Sequence, residues 1–127
     1  MAQISVLLVD DNPTLLRVLS RFLEELSAGA VRVVGTVLGG REAEAQALAL
    51  QPDIVVVDLQ MPDVPGLALL PRLRVSTPRA KIIALTLMDP LSARPAALAA
   101  GAHAFVSKAA VTEDLVPVIQ CLAAAIP

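Results

Sequence analysis

Asp10, Asp11, Asp58, Thr86 and Lys108 are the residues through which this chain could do chemistry. Each closes or directly follows a short apolar run. Ile4-Ser-Val-Leu-Leu-Val9 leads into the acid pair, and Ile54-Val-Val-Val57 into Asp58. Ala80-Lys-Ile-Ile-Ala-Leu85 leads into Thr86, and His103-Ala-Phe-Val-Ser107 into Lys108. If these runs are parallel strands of one sheet, their carboxyl ends share one edge, which is where open α/β sheets bind ligands. Clustered carboxylates cannot all stay ionised without compensation. A hard divalent cation supplies it, and Mg²⁺ accepts a few carboxylates plus carbonyls and waters while leaving room for phosphate oxygens. Lys108 adds a mobile positive charge suited to a phosphate oxygen, and Thr86 adds a hydroxyl donor. The set fits an anionic group attached to, or held against, a carboxylate, and a nucleophilic Asp forming an aspartyl phosphate is one route. Taken singly, each residue has a plainer reading. A strand-end Asp caps a turn, paired Asp residues before a helix serve as caps and dipole partners, and a Lys is solvated. The chain has only two lysines, however, and one of them falls at this edge.

The elements that must position these residues follow from hydrophobic patterning. Near-continuous apolar runs suit strands buried on both faces of a parallel sheet. A helix cannot occupy Ile54–Asp58, because Pro52 and Pro62 bracket it. Asn12-Pro13 reads as a helix start, with Asn12 as the N-cap and Pro13 at the first helical position. Leu15, Leu16, Leu19, Phe22, Leu23 and Leu26 then recur at helical spacing until Ala28-Gly29. Val31–Val37 is a second strand, interrupted by Gly35. Arg41–Leu50 is a second helix. Gly66–Val75 is a third, with Pro71 expected to kink it or to delay its start. Ala93–Ala100 is a short fourth helix with Pro95 in its first turn, which leaves Leu87–Arg94 as loop. Thr112 is the expected cap of a last helix, Glu113–Ala125, with Pro117 an oddity near its start. The order is β-α repeated five times. It predicts an α/β fold, a doubly wound five-stranded parallel sheet with helices on both faces.

Bulk properties narrow the function classes. The 127 residues suit one domain, 1–127, with a single core. With 56% hydrophobic and 2% aromatic residues, that core must be aliphatic. A net charge of −2 with scattered basic residues argues against nucleic acid binding by this chain. Cys121 is the only cysteine, so neither an internal disulfide nor a cysteine-rich metal site is available. Met1-Ala-Gln3 lacks the positive region of a signal peptide. No apolar stretch approaches the ~20 residues of a membrane helix. A cytoplasmic domain without membrane contact is the expectation.

The chain resembles the receiver domain of two-component response regulators, the CheY-like fold. The resemblance covers essentially the whole sequence. It is carried by Val9-Asp10-Asp11-Asn12-Pro13, by Val57-Asp58-Leu-Gln-Met-Pro62 with Gly66, by Leu85-Thr86, by Gly101-Ala102 and by Phe105-Val-Ser-Lys108. Ser107-Lys108-Ala109-Ala110, with no proline after the lysine, is similar to the NarL-type subgroup. The resemblance implies that Asp58 is the phosphoacceptor for a sensor histidine kinase. It implies that Asp11, Asp58 and the backbone carbonyl of Gln60 ligate Mg²⁺ directly, and that Asp10 acts mainly through metal-bound water. Thr86 and Lys108 would bind the phosphoryl oxygens, and Phe105 would turn inward as Thr86 moves. The face made by the fourth helix, fifth strand and last helix would then control an output, expected to be transcription through a DNA-binding domain outside this chain. Such a module catalyses its own phosphorylation and is not a turnover enzyme.

Departures from the family pattern bear on this reading. Leu87 stands where many receivers carry a small residue and would narrow access to the phosphate. Pro71 and Pro95 would disturb their helices. These features favour an alternative, a phosphate-independent interaction module on the same fold. A haloacid-dehalogenase-type phosphatase using Asp10 is a remoter alternative, since that family's motif wants Asp where Asn12 stands. Val118, Ile119 and Leu122 form a stripe on the last helix that would serve either a homodimer or packing on the sheet. His103, the only histidine, reads as structural.

Overall fold

The computed structural model describes residues 3–126; Met1 and Ala2, which belong to the leader reading above, and Pro127 lie outside it. The elements alternate as the patterning predicts: β1 (Ile4–Val9), α1 (Pro13–Leu26), β2 (Val31–Val37), α2 (Gly40–Leu50), β3 (Ile54–Asp58), α3 (Gly66–Ser76), β4 (Lys81–Thr86), α4 (Pro90–Ala100), β5 (Ala104–Ser107) and α5 (Val111–Ala123). A single 3₁₀ turn, Lys108–Ala110, joins β5 to α5. The strands form one parallel sheet in the order β2-β1-β3-β4-β5. The chain leaves β1 toward one side and returns on the other, so the carboxyl ends of β1 and β3 flank the point where the strand order reverses. The interruption expected at Gly35 is a register shift. Val6 pairs with Val33 and Leu7 with Gly35, so Val34 bulges.

Strand alternation builds two aliphatic cores. Val6, Leu8, Ile54, Val56, Ile83, Leu85 and Val106 point to the face covered by α1 and α5. Leu7, Val9, Val55, Val57, Ile82, Ala84 and Phe105 point to the face covered by α2, α3 and α4. Each Leu, Ile or Val fully withdrawn from water contributes roughly 1.5–3 kcal/mol of transfer free energy. The helices on the second face present alanines, Ala43 and Ala47 from α2 and Ala93 and Ala97 from α4, which let their backbones approach the sheet closely. At the amino edge Ser5 and Asp53 close β1 on β3: both the N–H and the hydroxyl of Ser5 donate to Asp53 Oδ2, and the Asp53 N–H donates to Ser5 Oγ.

Several boundaries differ from expectation, each for a local reason. The fourth helix begins at Pro90 instead of Ala93, because Asp89 is its N-cap and accepts a hydrogen bond from the Leu91 N–H at 3.1 Å. Most of the segment read as loop is therefore helix, and Pro95 lies inside it. The third helix starts at Gly66 with Pro71 in its interior, so its start is not delayed. Thr112 caps nothing: α5 begins at Val111, and Ser107 instead caps the preceding 3₁₀ turn through the Ala109 N–H. Pro71, Pro95 and Pro117 are all solvent-exposed, so the carbonyls left without a helical donor can be met by water. On α1, Leu16, Leu19 and Leu23 are buried while Leu26 is exposed, beyond the reach of the sheet. The α5 stripe is used internally: Ile119 is fully buried, and Val118 and Leu122 pack against the same core. Among the described residues no helix is long and apolar enough to cross a membrane.

Candidate functional site

β1 and β3 end in carboxylates held in the same way. Asp10 Oδ1 accepts the Asn12 N–H at 2.9 Å, and Asp58 Oδ1 accepts the Gln60 N–H at 3.0 Å. Each acid thus fixes its own rotamer through the amide two residues on. The second oxygens converge on Lys108, whose Nζ lies 2.8 Å from Asp10 Oδ2 and 3.3 Å from Asp58 Oδ2. Lys108 reaches them because β5 ends one strand beyond β4, and the 3₁₀ turn starts at Lys108 itself. Asp10 and Asp58 are both only 2% exposed, whereas Asp11 is open to solvent.

One carboxylate oxygen from each of Asp10, Asp11 and Asp58 lies within 4.8 Å of the others. Asp10 Oδ2 is buried and, among the described residues, is met only by the Lys108 ammonium at 2.8 Å. A cluster of hard carboxylate oxygens with an unsatisfied buried lone pair matches the donor preference of a hard divalent cation. The electrostatics point the same way. Burial pushes the Asp58 carboxyl above the usual carboxylate range; the Gln60 amide opposes this, Asp10 adds to it and Lys108 opposes it. Burial also disfavours the Lys108 ammonium, but the Asp10 and Asp58 carboxylates outweigh that cost and raise its pKa. The site is a partly compensated acidic cluster, three carboxylates against one ammonium.

Thr86 ends β4 fully buried at the same edge. Its hydroxyl donates to Gln60 Oε1 at 3.3 Å and accepts the Met88 N–H at 3.2 Å. The sequence reading named only the Gln60 carbonyl; the side chain's tie to Thr86 joins segments 26 residues apart and carries no local signal. Leu87, the next residue, is 70% exposed. Phe105 lies buried in the core on the sheet face that α2, α3 and α4 cover. His103 is built into the sheet: its N–H donates to the Ile82 carbonyl at 2.8 Å, and its Nδ1 accepts the Ile82 N–H at 3.0 Å. Asn12 caps α1 as expected, accepting from the Thr14 and Leu15 N–H groups.

The loop from Leu59 to Gly66 carries Gln60 and closes on itself. The Gly66 N–H donates to the Leu59 carbonyl at 3.2 Å, and Leu59 and Met61 are buried. A Cβ at Gly66 would lie 2.4 Å from Leu59 Cα and 2.7 Å from the Asp58 carbonyl oxygen, so only glycine fits there. Asp63 reaches from this loop to α2, a contact with no counterpart in the sequence reading. Its Oδ1 accepts the Gly40 N–H and its Oδ2 the Arg41 N–H.

The sequence profile of the response regulator receiver domain family matches residues 6–120. Among similar proteins, the "Probable transcriptional regulatory protein TcrX" of Mycobacterium tuberculosis is 34% identical over 123 residues, which cover 94% of this chain and 49% of that protein. Response regulator GacA of Pseudomonas viridiflava is 34% identical over 119 residues, covering 92% and 54% respectively. The chain spans about half the length of these curated relatives. Among solved structures, a two-component response regulator of the LuxR family from Aurantimonas sp. SI85-9A1 superposes with a TM-score of 0.89 at 27% identity, over 98% of this chain and 87% of that one.

Proposed function

Because the chain belongs to the response regulator receiver domain family, in its NarL/LuxR type, we propose that Asp58 accepts a phosphoryl group from a sensor histidine kinase and that this switches an output. A receiver domain is a signalling domain and not a turnover enzyme. Its relatives include transcriptional regulators, and we infer that this one acts in the cytoplasm as a single receiver domain, residues 1–127, controlling transcription through a DNA-binding domain outside this chain. The observation that carries the phosphoacceptor reading is the pairing of two buried strand-end carboxylates, Asp10 and Asp58, on one lysine beside the exposed Asp11.

In this reading Asp58 Oδ2 is the nucleophile, since Oδ1 is engaged by the Gln60 amide. It forms a new P–O bond as the P–N bond to the donor histidine breaks. Lys108 leaves the carboxylate it neutralises for a phosphoryl oxygen, a move of a few ångströms within its present reach. Thr86 exchanges the Gln60 side chain for a second phosphoryl oxygen and draws the start of α4 with it. Phe105, already buried on the neighbouring strand, takes the space so vacated. Asp11, Asp58 and the Gln60 carbonyl would hold Mg²⁺ directly and Asp10 through water, and the ion would offset the charge that the carboxylates and phosphoryl oxygens share. The switch shifts a population between two states. Any homodimer would use the α4-β5-α5 face, where Leu91 and Leu98 are exposed.

Intact mass after incubation with Mg²⁺ and acetyl phosphate tests this. The wild type is expected to gain one phosphate, about 80 Da, and Asp58→Ala none. A gain that survives in Asp58→Ala would point to another acceptor, such as Asp10. No gain in folded wild type, together with no binding of beryllofluoride, would favour the phosphate-independent module.

A further inference from the structure

Helix α2 has no cap of its own. Its N-cap is Gly39, which offers no side-chain acceptor, and its first residue is Gly40. The missing acceptor arrives from the loop that follows Asp58. Asp63 Oδ1 accepts the Gly40 N–H at 3.1 Å, and Oδ2 accepts the Arg41 N–H at 3.0 Å. Oδ1 also accepts the Val64 N–H at 2.8 Å, which holds the carboxylate rigid to its own backbone. The approach is close enough to exclude side chains on α2: a Cβ at Gly39 would sit 2.7 Å from Asp63 Oδ2, and one at Gly40 would sit 2.7 Å from Val64 Cβ. These amide contacts, Arg41 first and then Gly40, hold the Asp63 carboxyl below the usual carboxylate range.

The same short loop carries Gln60, whose amide binds Asp58 Oδ1 and whose side chain binds Thr86. Its other anchors are the Gly66-to-Leu59 hydrogen bond, the Leu59 N–H donated to the Leu85 carbonyl of β4 at 3.3 Å, the buried side chains of Leu59 and Met61, and Val64 packed against the core. The Asp63 tie fixes the outer, exposed half of the loop to a neighbouring helix. We infer that Asp63 is a positioning residue for the phosphoacceptor loop, holding the Gln60 backbone in register with Asp58 by anchoring the loop to the N-terminus of α2. This rests on the reading of Asp58 and the Gln60 carbonyl as part of a cation site. Residues that orient ligands from outside the coordination sphere commonly change metal affinity by about 10- to 100-fold when removed.

The competing explanation is that Asp63 merely caps α2. Two variants separate them. Asp63→Ala removes both the cap and the tie. Gly39→Ser combined with Asp63→Ala gives α2 a cap of its own, in the space the carboxylate vacates, without restoring the tie. Amide hydrogen exchange without added metal and Mg²⁺ titration by calorimetry are measured on wild type and both variants, with thermal unfolding beside them. The expected result is faster exchange at the Gln60 N–H and about tenfold weaker Mg²⁺ binding in both variants, with the melting temperature recovered in the double variant only. If the double variant regains wild-type Gln60 exchange and Mg²⁺ affinity, Asp63 is a cap and the inference is overturned. Unchanged Gln60 exchange and affinity in Asp63→Ala overturn it equally. If Asp63→Ala does not fold, the double variant decides alone. A wild type that binds no Mg²⁺ removes the cation-site reading itself, and that outcome is visible in the wild-type arm without either variant.

Discussion

At Asp58 the proposed phosphoacceptor role and stability pull in opposite directions. Its carboxyl is buried, and burial raises its pKa above the usual range despite the Gln60 amide and Lys108. A raised carboxylate pKa means that the ionised form is costlier in the folded chain than in the unfolded one. That cost sets in as pH rises through the ordinary carboxylate range and is complete once pH exceeds the folded value. Asp58→Asn keeps an acceptor oxygen for the Gln60 N–H and removes the charge, so it is expected to stabilise the metal-free protein by on the order of 1 kcal/mol. Chemical denaturation at neutral pH in the presence of a chelator checks this, and an equal or lower midpoint would show that Lys108 already compensates Asp58 in full. Such a cost at a strand end is reasonable only where the charge has a use.

At the scale of elements, the junction of β4 and β5 holds a second titratable feature. His103 precedes β5 and extends its ladder, with Nδ1 accepting the Ile82 N–H. That nitrogen can accept only while unprotonated. Burial lowers the His103 pKa, and the positive charges of Arg74 and Lys81 lower it further. The sign follows directly. The stability contributed by neutral His103 is complete above the unfolded value of about 6.5 and is lost as pH falls through the depressed folded value. The melting temperature of the wild type is therefore expected to fall more steeply than that of His103→Gln between about pH 6.5 and pH 5. Parallel curves would mean that the ring nitrogen carries no stability. The helices hold their own lesson. Three of them tolerate an internal proline because Pro71, Pro95 and Pro117 all face water, so each defect falls where a carbonyl can be solvated.

The molecule as a whole couples these parts through charge. The carboxyl edge of the sheet gathers three acids and one lysine, and a cation bound there adds its binding free energy to folding. At a concentration about 100 times its dissociation constant, Mg²⁺ is expected to stabilise the fold by about 2.7 kcal/mol. Asp11 is exposed, and the structure shows no hydrogen bond from its side chain among the described residues. Asp11→Asn is thus expected to leave metal-free unfolding nearly unchanged while greatly reducing the Mg²⁺-dependent shift. Thermal unfolding with and without Mg²⁺ distinguishes the two, and a full shift in Asp11→Asn would exclude Asp11 from the site.

Periodicity and punctuation by themselves determined the element order, the parallel sheet and the edge on which Asp10, Asp11, Asp58, Thr86 and Lys108 meet. Those features depend on residues near one another in sequence: apolar runs, bracketing prolines and the Asn12-Pro13 helix start. Local rules weighed against each other were less decisive. Pro95 places a fourth helix at Ala93, whereas the Asp89 side chain caps its true start at Pro90. Thr112 has the residue type of a cap, but the 3₁₀ turn Lys108–Ala110 leads straight into a helix that starts at Val111. Tertiary structure alone decided which way Lys108 leans, that Leu87 turns to solvent, that the Gln60 side chain holds Thr86 and that Asp63 serves a helix 22 and 23 residues earlier. These are contacts between segments distant in the chain. Their partners are chosen by strand order and by the space left between packed helices, and neither is written in the spacing of neighbouring residues.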